Sequence, residues 1–247
     1  METGLRGRTA VVCGASAGIG LGCAEALAAE GAQVVMLARG KEAIDREAKR
    51  LGGIAVAGDV SNGADLERLV ATAVEAHGGV DVVVLNSGGP PRTRALDVED
   101  DALRDAVDLL LLSSIRLVRL CRPHLERSAH GRVIAITSSS VKEPIDNLAL
   151  SNAVRPGLVG WLKTVARELG PRGVTVNAIA PGRIDTERLQ EVYPNGPTEA
   201  DLASIPLRRL GTPREIGDVV CFLASDRGAY VTGATIAVDG GLTRGLL

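Results

Sequence analysis

Gly14, Gly18 and Gly20 follow directly on the run Thr-Ala-Val-Val-Cys at 9–13 in the spacing Gly-x-x-x-Gly-x-Gly. Glycines there remove the Cβ atoms that keep backbone N–H groups from an anion, and the helix that follows aims the positive end of its dipole at the same point. The chemistry is phosphate binding. The spacing is not that of the dinucleotide fingerprint Gly-x-Gly-x-x-Gly, although the physics of the turn is the same, and a plain strand-to-helix connection is the competing reading. Arg39 ends the second expected strand, where an acidic residue would accept from both ribose hydroxyls and repel a 2′-phosphate. A guanidinium there makes charge-assisted bonds to a phosphate, which points to NADP(H) over NAD(H); an ordinary solvated arginine is the alternative. Asp59 closes the third expected strand, where its carboxylate could accept from an adenine amino group or simply cap the next helix. A second small-residue run, Asn-Ser-Gly-Gly-Pro-Pro at 86–91, lets a flat ligand lie against the backbone.

These groups need a scaffold that sets strand ends side by side. Short apolar, β-branched runs at 9–13, 33–38, 54–57, 81–85, 132–137, 174–180 and 234–238 read as strands. Helical stripes lie between them: Leu66, Leu69, Val70, Ala73 and Val74; Leu103, Ala106, Val107, Leu110 and Leu111 after the acidic run at 97–101; then Leu158, Leu162, Val165, Ala166 and Leu169. The alternation predicts an α/β fold, a Rossmann-type doubly wound parallel sheet of about seven strands flanked by helices, with ligands at the strands' carboxyl ends. A composition of 45% hydrophobic but only 2% aromatic residues suits such a core of Ala, Val, Leu and Ile. No repeat or linker interrupts the chain, which reads as one domain over 1–247, with 183–206 as a proline-bearing lid or binding loop.

With 28 basic against 30 acidic side chains there is no broad basic face, so a small-molecule substrate is expected as partner, and neither nucleic acid nor membrane. No apolar run approaches membrane length, and the first strand starts soon after Met1, which suggests a cytoplasmic location. Cys13, Cys23, Cys121 and Cys221 share no ligand spacing with one another or with His77, His124 and His130; they read as small buried hydrophobes, and no metal site is expected.

Together the landmarks resemble the short-chain dehydrogenase/reductase family, in particular its 3-oxoacyl-carrier-protein reductase-like members. The turn at Gly14, Gly18 and Gly20 matches the family's cofactor turn, with Cys13 where threonine is usual. Asn-Ser-Gly-Gly at 86–89 is similar to its Asn-Asn-Ala-Gly, Asn177 with Pro181 and Gly182 to its Asn-Ala-x-x-Pro-Gly, and Val-Asp-Gly-Gly at 238–241 to the end of its last strand. The resemblance implies that Ser16, Ile19 and Gly20 line the pyrophosphate and ribose, Asp59 and Val60 the adenine, and Asn86 and Gly88 the central ribose. Ile184 and Thr186 would hold the nicotinamide carboxamide, with Pro181 and Gly182 beside them. It also implies a homo-oligomer, dimer or tetramer, paired through residues 103–127, residues 151–169 and the last strand, where Trp161 would fit.

The same resemblance exposes a gap in the chemistry. In the family a serine orients the substrate carbonyl, a tyrosine donates the proton, a lysine four residues on lowers its pKa and grips the ribose, and an asparagine holds a relay water. Ser138 matches the serine, but Ser151 stands at the tyrosine position, Arg155 at the lysine position and Leu110 at the asparagine position. No Tyr-x-x-x-Lys exists elsewhere, because the only tyrosines are Tyr193 and Tyr230 and the only lysines Lys41, Lys49, Lys142 and Lys163. Arginine keeps the charge without a useful proton exchange near neutrality, and a serine hydroxyl lacks the phenol's pKa of about 10. Residues 148–155 resemble a subgroup of the family that lacks the usual tetrad and still binds nicotinamide cofactor. The preferred reading is an NADP(H)-dependent carbonyl/alcohol oxidoreductase with a non-standard site of Ser138, Ser151, Arg155 and Lys142. Lys142, desolvated in the cleft, or Tyr193 in the lid would stand in as proton donor. The alternatives are a catalytically silent NADP(H)-binding protein and a non-redox dehydratase, isomerase or cyclase that binds an acidic substrate through Arg92, Arg94 or Arg155.

Overall fold

The computed structural model describes residues 2–193 and 195–246, apart from the side chains of Glu191 and Val192. Met1 and Leu247, the ends of the expected domain, and Pro194 of the expected lid lie outside the described residues. Seven strands form one sheet: β1 (Thr9–Cys13), β2 (Gln33–Ala38), β3 (Ile54–Ala57), β4 (Val82–Leu85), β5 (Arg132–Ile136), β6 (Thr175–Pro181) and β7 (Thr235–Val238). Their order is β3-β2-β1-β4-β5-β6-β7 and every pairing is parallel. The chain winds outward from β1 to β3, returns to the other side of β1 and continues outward to β7. The direction therefore reverses between β1 and β4, where Val11 pairs with Val83, and such a reversal opens a crevice beyond the strand ends.

The helices are α1 (Gly18–Ala29), α2 (Lys41–Leu51), α3 (Gly63–His77), α4 (Asp100–Val107), α5 (Ser113–Leu125), α6 (Ala149–Leu169), α7 (Glu187–Val192), α8 (Glu199–Ala203) and α9 (Pro213–Ala224). Two cores cover the two faces of the sheet. On one, Leu66, Leu69, Leu117, Leu158 and Leu162 of α3, α5 and α6 pack on Val83, Val133 and Val176. On the other, Cys23, Leu27, Ile216 and Val220 of α1 and α9 pack on Val12, Val84 and Ile134. Trp161, expected at a subunit contact, is partly buried against the first core. The four cysteines are free and buried, and burial pushes the Cys13 thiol up to about 12, so it holds no thiolate at neutral pH.

Three elements differ from the sequence expectation. α2 had no legible stripe, because it buries only Ile44, Ala48 and Glu47, the last forked between Arg46 and Arg50. α6 covers the expected residues 151–169, starting two residues earlier, and runs through Pro156; the helix forgoes one backbone bond there, while Leu150, Val154, Leu158 and Leu162 keep one face buried. The long helix expected over residues 103–127 is α4 and α5 joined by a π turn at Asp108–Leu112, which turns Leu110 onto Leu150 and Val154. The segment at 183–206 is also less irregular than expected: α7 and α8 begin at Thr186 and Thr198, whose hydroxyls accept from the backbone N–H groups of Leu189 and Asp201.

Candidate active site

At the end of β1 the chain turns through Gly14 at φ 60° and Gly18 at φ 54°, both in the left-handed region that glycine tolerates. A Cβ on Gly20 would lie 2.1 Å from the carbonyl oxygen of Gly14, so the turn and the helix touch backbone to backbone. The first turn of α1 has no capping side chain and no acidic residue, which leaves its N–H groups without a protein partner from a cap. Asn86, just past β4, donates from Nδ2 to the carbonyl of Cys13 at 3.1 Å. That bond fastens the second small-residue run to the glycine turn across the reversal of strand order.

The adenine side is less open. Arg39 is exposed at the end of β2, with no carboxylate within ion-pair distance among the described residues. Asp59 turns its Oδ1 back on the N–H of Ser61, 2.9 Å away, and its own N–H donates to Asp65. Its carboxylate thus serves the turn into α3, whose cap is Asn62. Val60 is partly buried against the core beside it.

The end of β5 and the start of α6 bring Ser138, Ser151 and Arg155 together. Ser138 is partly exposed, and its hydroxyl accepts from the N–H of Ser140 at 3.1 Å. Ser151 is buried, its hydroxyl 3.1 Å from that of Ser140. Arg155 is only 8% exposed, and its Nη1 donates to the carbonyls of Thr137 at 3.0 Å and Ile136 at 3.3 Å. Its Nε has no partner. Burial, with Arg188 as a nearby like charge, holds the Arg155 guanidinium down at about 10. Together with Asn86, Leu110, Ser113 and Ser114 it lines a cavity of about 10 Å³, at the lower limit for one water.

The segment expected as a lid leaves the end of β6 and packs over the glycine turn. Ile184 is buried and bridges to Gly211, while Gly182 packs on Asp239. A methyl of Thr186 lies 3.3 Å from the Cβ position of Gly18, so α7 starts directly over the glycine turn. Arg188, two residues on, reaches the carbonyls of Gly89 at 2.9 Å and Pro90 at 3.0 Å. Tyr193 donates its hydroxyl to Asp201 at 3.3 Å, and Arg183 lies over its ring at 5.9 Å. The tyrosine is thus engaged within the lid.

The family profile described as enoyl-(acyl carrier protein) reductase matches residues 14–243, almost the whole length over which this geometry is built. The chain belongs to the short-chain dehydrogenase/reductase family. It is 40% identical over 245 residues to the 3-oxoacyl-[acyl-carrier-protein] reductase FabG of Pseudomonas aeruginosa, covering 96% of this chain and 98% of that one. Among solved structures it superposes on L-sorbose reductase from Gluconobacter frateurii, complexed with NADPH and L-sorbose, with a TM-score of 0.92 at 28% identity over 100% of both chains. It also matches YwfH, an NADPH dependent reductase involved in bacilysin biosynthesis, with a TM-score of 0.92 at 26% identity over 97% of this chain and 99% of that one. These short-chain dehydrogenase/reductase relatives are reductases, and the sheet order here is that of a doubly wound fold.

Within the family framework some expected residues stand apart. Lys142 lines a groove between α6 and β7 with Val159, Lys163 and Thr235, away from the cavity of Arg155 and Asn86. Arg92 and Arg94 are exposed on the loop before α4, and Arg94 faces Asp97 at 4.0 Å. Asn177 is buried and bridges Val231 and Ala234, a structural tie between β6 and β7. Ser140 and Arg188 were invisible in sequence reasoning. Only the fold shows that one meets Ser151 and the other crosses to the loop after β4. No helix among the described residues is long and apolar enough to cross a membrane, and no group of His, Cys, Asp and Glu among them is arranged to hold a metal ion.

Proposed function

We propose that this chain is an NADP(H)-dependent oxidoreductase that interconverts a carbonyl and an alcohol on a small molecule. The observation that carries the proposal is the uncapped start of α1 against Gly14 and Gly20, fastened to Asn86 where the strand order reverses. A dinucleotide fits these residues: the glycine turn is a cradle that a Cβ would fill, and the buried Nε of Arg155 is a donor awaiting an acceptor. In this reading Gly14, Ser16, Gly18, Ile19 and Gly20 hold the pyrophosphate, Arg39 the 2′-phosphate, and Asp59, by the carboxylate oxygen that Ser61 leaves free, and Val60 the adenine. Asn86, Gly88 and Arg155 hold the central ribose, with Pro181, Gly182, Ile184 and Thr186 at the carboxamide. The NADPH named with two of the structural neighbours supports the choice of phosphate-bearing cofactor.

Bound there, the nicotinamide supplies or accepts a hydride. Ser138 orients the substrate oxygen with its hydroxyl, which is free to donate because its hydrogen bond to Ser140 uses only a lone pair. Arg155 keeps a positive charge at the end of β5, which favours the alkoxide that forms as hydride arrives. The proton then comes from solvent, since Ser151 is too weak an acid and Arg155 stays charged at neutral pH.

Calorimetric titration with NADPH and with NADH tests the cofactor, and transfer of deuterium from labelled NADPH to a carbonyl product tests the reaction. Binding that prefers NADPH, followed by transfer, is the expected result; no binding of either nucleotide refutes the reading. A second reading, cofactor binding without turnover, is favoured by the hydroxyl of Ser151 being tied to Ser140 and that of Tyr193 to Asp201. It predicts NADPH binding with no deuterium transfer to any carbonyl compound.

A further inference from the structure

We propose that the cleft takes an anionic substrate, a carbonyl compound bearing a carboxylate, and that Arg188 of α7 is the residue that grips the carboxylate. The proposal rests on the reductase reading and names the substrate class for that same site.

The argument is one of uncompensated charge. Arg104, Arg116, Arg122, Arg209 and Arg214 each have a carboxylate within ion-pair distance. Arg188 is exposed at the mouth of the cleft and has none among the described residues; its fork donates to the neutral carbonyls of Gly89 and Pro90. The contact is close, because a Cβ on Gly89 would lie 2.5 Å from Nη2, so the guanidinium lies on bare backbone of the loop that follows Asn86. From the other wall comes Arg155, buried to 8% exposure, bonded only to the carbonyls of Ile136 and Thr137, with Nε unpartnered. The two cations are near enough for Arg188 to weigh on the protonation of Arg155.

A buried guanidinium without a counter-ion is unfavourable, and a second cation in its neighbourhood makes it more so. The charges of the cofactor do not offset this end of the cleft, since its phosphates belong to the glycine turn and to Arg39. A carboxylate on the substrate does. The planar fork of Arg188 matches a carboxylate in two parallel bonds, which are stronger than the two it makes to carbonyls. Because Thr186 of the same helix end rests over Gly18, the arm that carries Arg188 is anchored beside the glycine turn.

The test titrates protein saturated with NADPH, by calorimetry, with acetoacetate, levulinate and benzoylformate and with the methyl ester of each. At least one acid is expected to bind about tenfold more tightly than its ester. Arg188→Gln removes that preference, Arg188→Lys, which keeps the charge without the fork, retains only part of it, and NADPH binds all three proteins alike. If no acid is preferred over its ester, or the preference survives Arg188→Gln, the proposal is overturned and the reductase reading stands. It is also overturned if Arg188→Lys loses the preference as fully as Arg188→Gln, which makes the residue only a latch on Gly89 and Pro90. NADPH binding about tenfold weaker in Arg188→Gln overturns it in favour of a contact to a cofactor phosphate. Failure of NADPH to bind the wild type removes the reductase reading and the proposal with it.

Discussion

The hydroxyls of Ser140 and Ser151 lie 3.1 Å apart, and both residues are buried. Each is the partner of the other, so truncating one strands a polar group inside the protein. Ser151→Ala should lower the unfolding free energy by about 1 kcal/mol, a drop in midpoint of about 3 °C for a chain of this size. Adding Ser140→Ala should cost less than the sum of the single changes, because the double variant leaves nothing unsatisfied. Strict additivity in a denaturant-melt cycle would show that the two hydroxyls do not depend on each other.

Arg39 is exposed directly after the end of β2. Replacing it with aspartate exchanges an attractive charge for a repulsive one at a 2′-phosphate. NADPH affinity is expected to fall about 100-fold in Arg39→Asp at low salt, while NADH binds as well as before or better. Equal losses for both nucleotides in parallel titrations would place Arg39 elsewhere than at the 2′-phosphate.

Gly20 has no room for a side chain, since its Cβ would meet the Gly14 carbonyl at 2.1 Å and the amide of Asn86 at 2.7 Å. Gly20→Ala must push the start of α1 away from the turn. The expected cost is about 2 kcal/mol of stability, read by thermal melting, together with loss of detectable NADPH binding. A variant that melts normally yet binds no nucleotide would still support the cradle; one that binds normally would not.

The start of α9 offers a pH test. The guanidinium of Arg209 and the N–H of Thr212 hold the Glu215 carboxyl down at about 2, well below its unfolded value of about 4.3. A lowered folded-state pKa stabilises above the unfolded pKa, and that stabilisation is lost as the pH falls from about 4 through 2. Because Glu215 is 41% exposed, solvent screens the pair and the effect stays under about 1 kcal/mol. The melting temperature of the wild type should therefore fall more steeply between pH 5 and pH 2 than that of Glu215→Gln, whose amide still serves the capping box with Thr212. Parallel slopes would mean that the pair is inert.

Most of the sheet was legible because buried parallel strands read as apolar runs and their helices as stripes. Gly14, Gly18 and Gly20 were legible for a backbone reason: a positive φ and a contact without Cβ admit no other residue, so the geometry of the turn is written in its spacing. α2 was not, because charged pairs such as Lys41 with Asp45 stabilise its exposed face and leave only a thin stripe to read. The π turn at Asp108–Leu112 was not either, since it depends on the packing of Leu110 against α6 rather than on any local signal.

By itself the sequence determined the doubly wound sheet, the glycine turn and the absence of any Tyr-x-x-x-Lys, because each is a matter of residue type and local spacing. Only the tertiary structure decided which groups meet. It seats Ser151 on Ser140, buries Arg155 of α6 against the carbonyls of Ile136 and Thr137, sends Lys142 to another wall, and carries Arg188 across to Gly89. Those meetings join residues 11 to 99 positions apart, and no local pattern encodes them. They arise from burial of apolar faces on both sides of one sheet, which brings the strand ends, and the loops that leave them, to a single crevice.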